Sequence, residues 1–216
     1  MDTTSPAATH IARGRPRTVT EQERRRHLLD SAESVFLTAG YHAATMDDVA
    51  RGAGMSKRTV YQVFSSKAEL FEALLNDRFR PLTMPFQDDG RSMADQLAAL
   101  LRAMAALCLA PQRIAMTRLM IAEAPLSRDM ADAIERLGLG RGNGVLEQWM
   151  EAQVAAGRLN AGAAEQAQKA LFFTAFGDAL LNTLLRVGEP PDTNEIERRI
   201  QYAVRLFLKD AAIQPS

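Results

Sequence analysis

Lys57, Arg58, Thr59, Tyr61 and Gln62 crowd the second half of one short stretch, residues 46–65, which reads MDDVARGAGMSKRTVYQVFS. Cations suit phosphate oxygens, and a guanidinium or a carboxamide can also make paired hydrogen bonds to the edge of a base. Such groups do that work only when a rigid element carries them into a groove. The residues around them supply the element. Val49, Ala50 and Ala53 give a first short helix an inward face, and Ala50 is small enough for a second helix to cross close by. Gly54 stands at a sharp turn, where a positive φ costs least without a Cβ. Ser56 follows Met55 and can cap the second helix. Val60, Val63 and Phe64 are spaced to bury one side of that helix, which leaves the polar groups on its other faces.

Neighbouring helices must hold this pair. Thr20-x-x-Glu23 has the form of a capping box and predicts a first helix from near residue 20. Leu28, Leu29, Ala32, Val35, Phe36 and Ala39 fall on its inner side, and Gly40 is a natural stop. Arg24, Arg25 and Arg26 read mainly as its solvated face. Thr45 and Asp48 form the next capping pair. Ser66-x-x-Glu69 opens a fourth helix bearing Ala68, Phe71, Leu74, Leu75 and Phe79, ended or kinked by Pro81 and Pro85. Residues 18–80 are thus expected to form a head built on a three-helix helix-turn-helix unit. Residues 1–17 precede it as an arm, polar at first and then basic at Arg13, Arg15 and Arg17. That arm reads either as a disordered tail or as a grip on phosphates or a minor groove.

The whole chain, 216 residues, carries 26 basic and 26 acidic residues, so its net charge is zero. The distribution is uneven: residues 10–67 hold ten Lys or Arg against six Asp or Glu, and the remainder is modestly acidic. A single cysteine, Cys108, excludes an intrachain disulfide and suits a reducing compartment. The N-terminus lacks the apolar core of a signal peptide, and the apolar stretch 170–185 is shorter than a membrane span and is interrupted by Asp178. A cytoplasmic protein without a membrane partner is expected.

Residues 81–216 read as helices throughout, giving an all-α fold with a larger helical domain behind the head. Met93 to Cys108 marks one helix, Ile114 to Ala124 another, and Ser127 can cap a shorter one. Glycine at every second position from Gly138 to Gly144 invites a phosphate-loop reading, which fails: the i+5 positions are Asn143 and Val145, no strand precedes, and no P-loop lysine follows. A flexible joint or helix start is expected there. Val145, Leu146, Trp149, Met150 and Val154 mark a further helix. The stretch 163–187 is apolar on nearly every side, more than one buried stripe requires. Asp192-x-x-Glu195 can cap a last helix carrying Ile196, Ile200, Val204, Phe207 and Leu208. This surplus apolar surface predicts a homodimer joined through a four-helix bundle, with Phe173, Leu180, Leu184, Ile200, Val204 and Phe207 at the interface.

The head resembles the DNA-binding domain of the tetracycline repressor (TetR) family of bacterial transcriptional regulators. The resemblance rests on Ala39-Gly40-Tyr41, residues 45–50 (TMDDVA), residues 53–56 (AGMS), Thr59-Val60-Tyr61, Phe64 and residues 66–70 (SKAEL). It implies that Thr45 caps the first motif helix and bonds a phosphate, that Tyr61 offers its phenol to another, and that Lys67 does likewise from the start of the fourth helix. Lys57, Arg58, Thr59 and Gln62 then lie on the recognition helix, where Arg58 could read guanine and Gln62 adenine, with a phosphate role open to either. Gln62 departs from the family pattern, in which many members carry a ring-bearing residue. For the body, the resemblance implies a pocket for a small apolar or aromatic effector. Met104, Cys108, Met116, Met120, Trp149, Phe172, Phe173 and Phe176 are candidates to line it, although each also reads as ordinary core.

The function expected is a dimeric repressor that binds a near-palindromic double-stranded operator and releases it when the effector binds. A ligand-responsive activator is the alternative, since sequence does not separate the two signs. An enzyme is poorly supported: His10, His27 and His42 all lie in the head, and no nucleophile elbow or metal-ligand spacing occurs. No cofactor, metal or catalytic residue is expected.

Overall fold

A computed structural model describes residues 20–79, 90–137, 144–162 and 170–211. The arm residues Arg13, Arg15 and Arg17, the prolines 81 and 85, and glycines 138, 140 and 142 lie outside them. Every described element is helical: α1 (Glu21–Ala39), α2 (Met46–Gly52), α3 (Lys57–Val63), α4 (Lys67–Arg78), α5 (Met93–Cys108), α6 (Pro111–Glu123), α7 (Arg128–Leu137) and α8 (Val145–Ala155). They are followed by α9 (Ala170–Leu185) and α10 (Thr193–Ala211).

The helix starts obey local chemistry. Thr20 and Thr45 each accept the N3 backbone N–H, from Glu23 and Asp48, and donate their own backbone N–H to the carboxylate of that residue, which completes a capping box. Ser56 caps α3 through Thr59 N at 3.1 Å, and Asp192 caps α10 through Glu195 N at 2.7 Å. At α4 the box is displaced by one residue: Ser66 accepts the Glu69 N–H, but the Glu69 carboxylate turns back to the N–H and hydroxyl of Ser65. Gly54 takes φ +64° at the α2–α3 turn, with nothing near enough to crowd a Cβ, so the backbone angle alone requires glycine there. The helix expected from Ile114 begins three residues earlier, at Pro111, a first position where the missing N–H costs nothing.

The apolar residues sort into two cores. The first joins Leu28, Phe36, Val49, Val60, Phe64, Leu70, Phe71 and Leu74 of the head to Met116, Met120, Met130 and Ala133 of α6 and α7. Packing therefore does not divide where the head was expected to end, near residue 80; two helices of the body complete the head's core. The second core holds Leu97 and Leu101 of α5, Leu146, Trp149 and Met150 of α8, Ala175 and Phe176 of α9, and Ile200, Val204 and Phe207 of α10.

Helix α9 is not uniform. Residues Phe173–Gly177 form a π-helical turn before regular helix resumes over Asp178–Leu185. A Cβ at Gly177 would meet the Phe173 ring at 2.7 Å and the Phe172 ring at 3.2 Å, so the rings of the widened turn lie over a residue without a side chain. Nothing in the apolar periodicity of the stretch signals this.

Candidate nucleic-acid interface

Helix α3 is seated by apolar contacts on one side and polar anchors at its start. Val60 and Phe64 are fully buried, and the Arg25 guanidinium lies 4.6 Å from the centre of the Phe64 ring. One of the three consecutive arginines of α1 thus braces the end of α3. At the other end Lys57 bridges to Asp47 of α2 at 2.9 Å, and this carboxylate raises the Lys57 pKa. Beneath the pair, the buried Ser31 hydroxyl donates to the Val49 carbonyl at 2.9 Å and ties α1 to α2.

The outward groups of α3 divide by whether they are engaged. Thr59 shares a 2.8 Å hydrogen bond with Ser56, and Thr45 gives its hydroxyl to Asp48 at 2.6 Å. Hydrogen bonds from Thr45 hold the Asp48 carboxyl below its ordinary value. Arg58 and Gln62 are exposed and make no hydrogen bond or ion pair with the described residues, and Tyr61 is 45% exposed. A guanidinium, a phenol and a carboxamide thus stand side by side on a rigid helix, facing water.

Lys67 is placed differently from expectation. Its ammonium donates to the carbonyls of Tyr41 at 2.8 Å, His42 at 3.1 Å and Ala44 at 2.9 Å, and sits 4.6 Å from the Tyr41 ring centre. All three donors are consumed by the α1–α2 loop. Partial burial lowers its pKa. Tyr41 is itself buried among Phe36 and Phe71, and burial pushes its phenol up to about 12, so it stays neutral. Lys67 is the first residue of α4, so its backbone N–H is one of the orphan donors of a helix start.

Contacts that sequence reasoning missed join head and body through α6. Glu123, at its C-terminal end, accepts the His42 backbone N–H at 2.8 Å. Arg113, near its start, donates to the Arg78 carbonyl at 3.1 Å and lies 4.7 Å from the Phe79 ring centre. Arg78 is held in turn by Asp30 at 2.5 Å and Glu33 at 2.7 Å, which locks α4 to α1. Midway along α6, Arg118 donates to the carbonyls of Leu184 and Thr183 at the end of α9. Each pairing spans dozens of residues in the chain, so no local pattern could have announced it.

The expected body residues separate. Met116 and Met120 belong to the head's core, not to a pocket shared with the others, because α6 turns that face toward α1 and α4. Phe173 is 62% exposed and lines nothing internal. Met104, Cys108, Trp149, Phe172 and Phe176 do share the body core, where burial raises the pKa of the Cys108 thiol. Of the expected interface residues, Ile200, Val204 and Phe207 are buried inside the monomer, since that stripe of α10 packs inward beside α5 and α9. Leu180 and Leu184 are half-buried. The outward apolar residues are Phe173, Leu181 and Leu185 of α9 and Tyr202 and Leu206 of α10.

Two family models account for most of the described chain. One, bacterial regulatory proteins of the tetR family, matches residues 28–74; the other, the AefR-like transcriptional repressor C-terminal domain, matches residues 95–210. The chain belongs to the TetR family. Its head is the helix-turn-helix region of this family of transcriptional regulators. Among curated relatives, this regulator is 57% identical over 53 residues to the HTH-type transcriptional activator FasR of Mycolicibacterium smegmatis, a match covering 24% of either chain. It is also 38% identical over 68 residues to the HTH-type transcriptional regulator SrpR of Pseudomonas putida, covering 32% of either chain. The matching part thus spans between a quarter and a third of those relatives. Over the full fold it resembles a TetR-family regulator from Pseudomonas syringae pv. tomato, with a TM-score of 0.71 and 24% identity over 91% of this chain and 100% of the other. No single described helix is long and apolar enough to cross a membrane.

Proposed function

We propose that this regulator acts as a homodimer that reads a near-palindromic operator with two α3 helices and changes its grip when a small, mainly apolar molecule binds the body. The observation that carries the reading is the unengaged row on α3. Arg58 and Gln62 have the geometry to bond guanine and adenine edges, and Tyr61 stands beside them for a phosphate. Thr45, Lys57 and Thr59 frame the row at the helix starts, with their side chains held by Asp48, Asp47 and Ser56. Lys67 serves the interface by fixing the α1–α2 loop and by offering its backbone N–H to a phosphate. Arg13, Arg15 and Arg17 would add phosphate or minor-groove contacts from the arm.

The dimer is supported by the outward faces of α9 and α10. Leu181 and Leu185 stand one turn apart, as do Tyr202 and Leu206, and Arg199 joins the two helices through Asp178 at 3.0 Å. Covering that surface with its own copy would set two heads apart at a fixed spacing, and half-sites one DNA turn apart are separated by roughly 34–36 Å. Repression is the sign we favour, in keeping with the name of the C-terminal family. Activation is the alternative, because FasR, 57% identical over 53 residues, is named an activator.

The deciding experiment titrates the full-length protein into its own upstream DNA and into a scrambled duplex, at several salt concentrations. Selective binding that weakens as salt rises is expected. Equal binding to both duplexes would overturn the operator reading.

A further inference from the structure

Four buried side-chain atoms among the described residues lack a hydrogen-bond partner; two, Arg113 Nε and Glu147 Oε2, belong to half-buried side chains, and two to fully buried residues of the body core. The indole Nε1 of Trp149 and the carboxamide Oε1 of Gln153 are buried without a hydrogen-bond partner, and each residue is only 2% exposed. They stand four residues apart on α8, one turn along the same helical face. Buried polar groups are almost always paired, so an orphan donor next to an orphan acceptor needs an explanation.

Their surroundings narrow it. Gln153 and Ser31 are the only polar or charged residues classed as buried among the described residues, and Ser31 belongs to the head. No lysine, arginine or carboxylate is among the fully buried described residues, so an ionised guest would meet no fully buried counter-charge there. A water molecule would find just this pair in an otherwise apolar setting, the lower limit of what holds a buried water. Aromatic surface is at hand in the same core: Phe172 and Phe176 meet edge to face at 4.7 Å. Phe172 immediately precedes, and Phe176 lies within, the π-helical turn Phe173–Gly177, a widened turn of a kind that concentrates at functional sites.

We infer that Trp149 and Gln153 form the polar anchor of the effector site, and that the effector is a neutral aromatic molecule bearing a hydroxyl group, a phenol. The phenolic oxygen accepts from Trp149 Nε1–H and the phenolic O–H donates to Gln153 Oε1, while the ring joins the apolar core. Were the amide turned over, the same oxygen would accept from both residues and the phenolic O–H would be left without an acceptor, so the match requires Gln153 Oε1 to face the site, as it does here. This inference rests on the effector-responsive reading above, and it supplies the chemical class which that reading lacks.

Trp149 is the only tryptophan in the chain, so its fluorescence reports on the anchor directly. The full-length protein is titrated with 4-propylphenol and with propylbenzene, which differ only in the hydroxyl, following Trp149 emission and heat of binding. We expect the phenol to bind about tenfold more tightly or better, as one well-made pair of buried hydrogen bonds implies, with an emission change that propylbenzene does not produce. Gln153→Leu should abolish the preference and leave the melting temperature unchanged or raised, because it removes an orphan polar group. Equal affinity for the two probes, no saturable binding of either, or a Gln153→Leu variant that loses stability would overturn the assignment. The operator titration is run in parallel. Operator binding without phenol preference refutes the anchor alone, and phenol preference without operator binding refutes the regulatory reading alone.

Discussion

Glu123 and His42 are 81 positions apart in the chain, yet the carboxylate of one accepts the backbone N–H of the other at 2.8 Å. The same carboxylate lies over Gly40, where an added Cβ would fall 2.3 Å from Glu123 Oε1. From the opposite side Lys67 binds the carbonyls of Tyr41, His42 and Ala44. The α1–α2 loop is thus clasped between a carboxylate of the body and an ammonium of the head, directly before the cap of α2.

This clasp gives a first prediction. Glu123→Ala should speed hydrogen exchange at the His42 amide and cost roughly 1 kcal/mol, whereas Glu123→Gln keeps an acceptor and should retain most of the protection. Gly40→Ala should cost more, about 1–3 kcal/mol, because it adds the clash to a backbone at φ +82°. Exchange measured by NMR, with urea unfolding of each variant, checks both.

Lys67 and Tyr61 should separate stability from binding. Lys67→Met strips three carbonyls of their donor and should lower stability by about 1–3 kcal/mol. Tyr61→Phe removes an exposed hydroxyl and should leave the melting temperature alone while weakening binding to every DNA sequence. If Lys67→Met leaves stability untouched, its carbonyl contacts contribute nothing in solution.

Gln62→Ala and Arg58→Ala should each relax preference at one operator position, by roughly 1–3 kcal/mol where the wild-type contact is bidentate. Binding to a panel of singly substituted operators measures this. A uniform loss across the panel would instead assign the residue to a phosphate.

The outward apolar surface predicts the oligomeric state. Leu185→Asp combined with Leu206→Asp should yield a monomer by light scattering. Neither residue is buried in the monomer, so the secondary structure seen by circular dichroism should survive. Operator affinity should fall steeply, since two heads no longer bind as one unit.

Arg102 and Glu197 tie α5 to α10 through two hydrogen bonds of 2.6 and 2.7 Å. Arg102 foremost, with help from Gln201, holds the Glu197 carboxyl down at about 2, from an ordinary 4.5. A carboxyl depressed by folding stabilises the native state above its unfolded value, and that contribution disappears as pH falls through the folded one. Acid unfolding should therefore be less steep in Arg102→Met than in wild type between about pH 4.5 and 2. The difference should stay under about 1 kcal/mol, because the pair is partly exposed.

How much of this was legible in the chain follows from the range of the interactions. Capping boxes, the glycine turn, the start of each head helix and the apolar faces of α1 to α4 are matters of three or four neighbouring residues, and the sequence states them outright. So does the identity of the groups on α3. The sequence alone therefore determined an all-helical regulator with a helix-turn-helix head. Tertiary structure decided which of those groups are free. Arg58, Tyr61 and Gln62 face water, while Lys67 is spent on a loop more than twenty positions earlier. It also decided which side of an amphipathic helix faces inward. Ile200, Val204 and Phe207 were expected to meet a partner, and only the packing of α10 beside α5 and α9 turns them inward and leaves Tyr202 and Leu206 exposed instead. Met116 and Met120 went to the head's core for the same reason. Periodicity gives a helix its faces, but the neighbour each face meets depends on contacts between distant segments, and the order of residues does not carry that information locally.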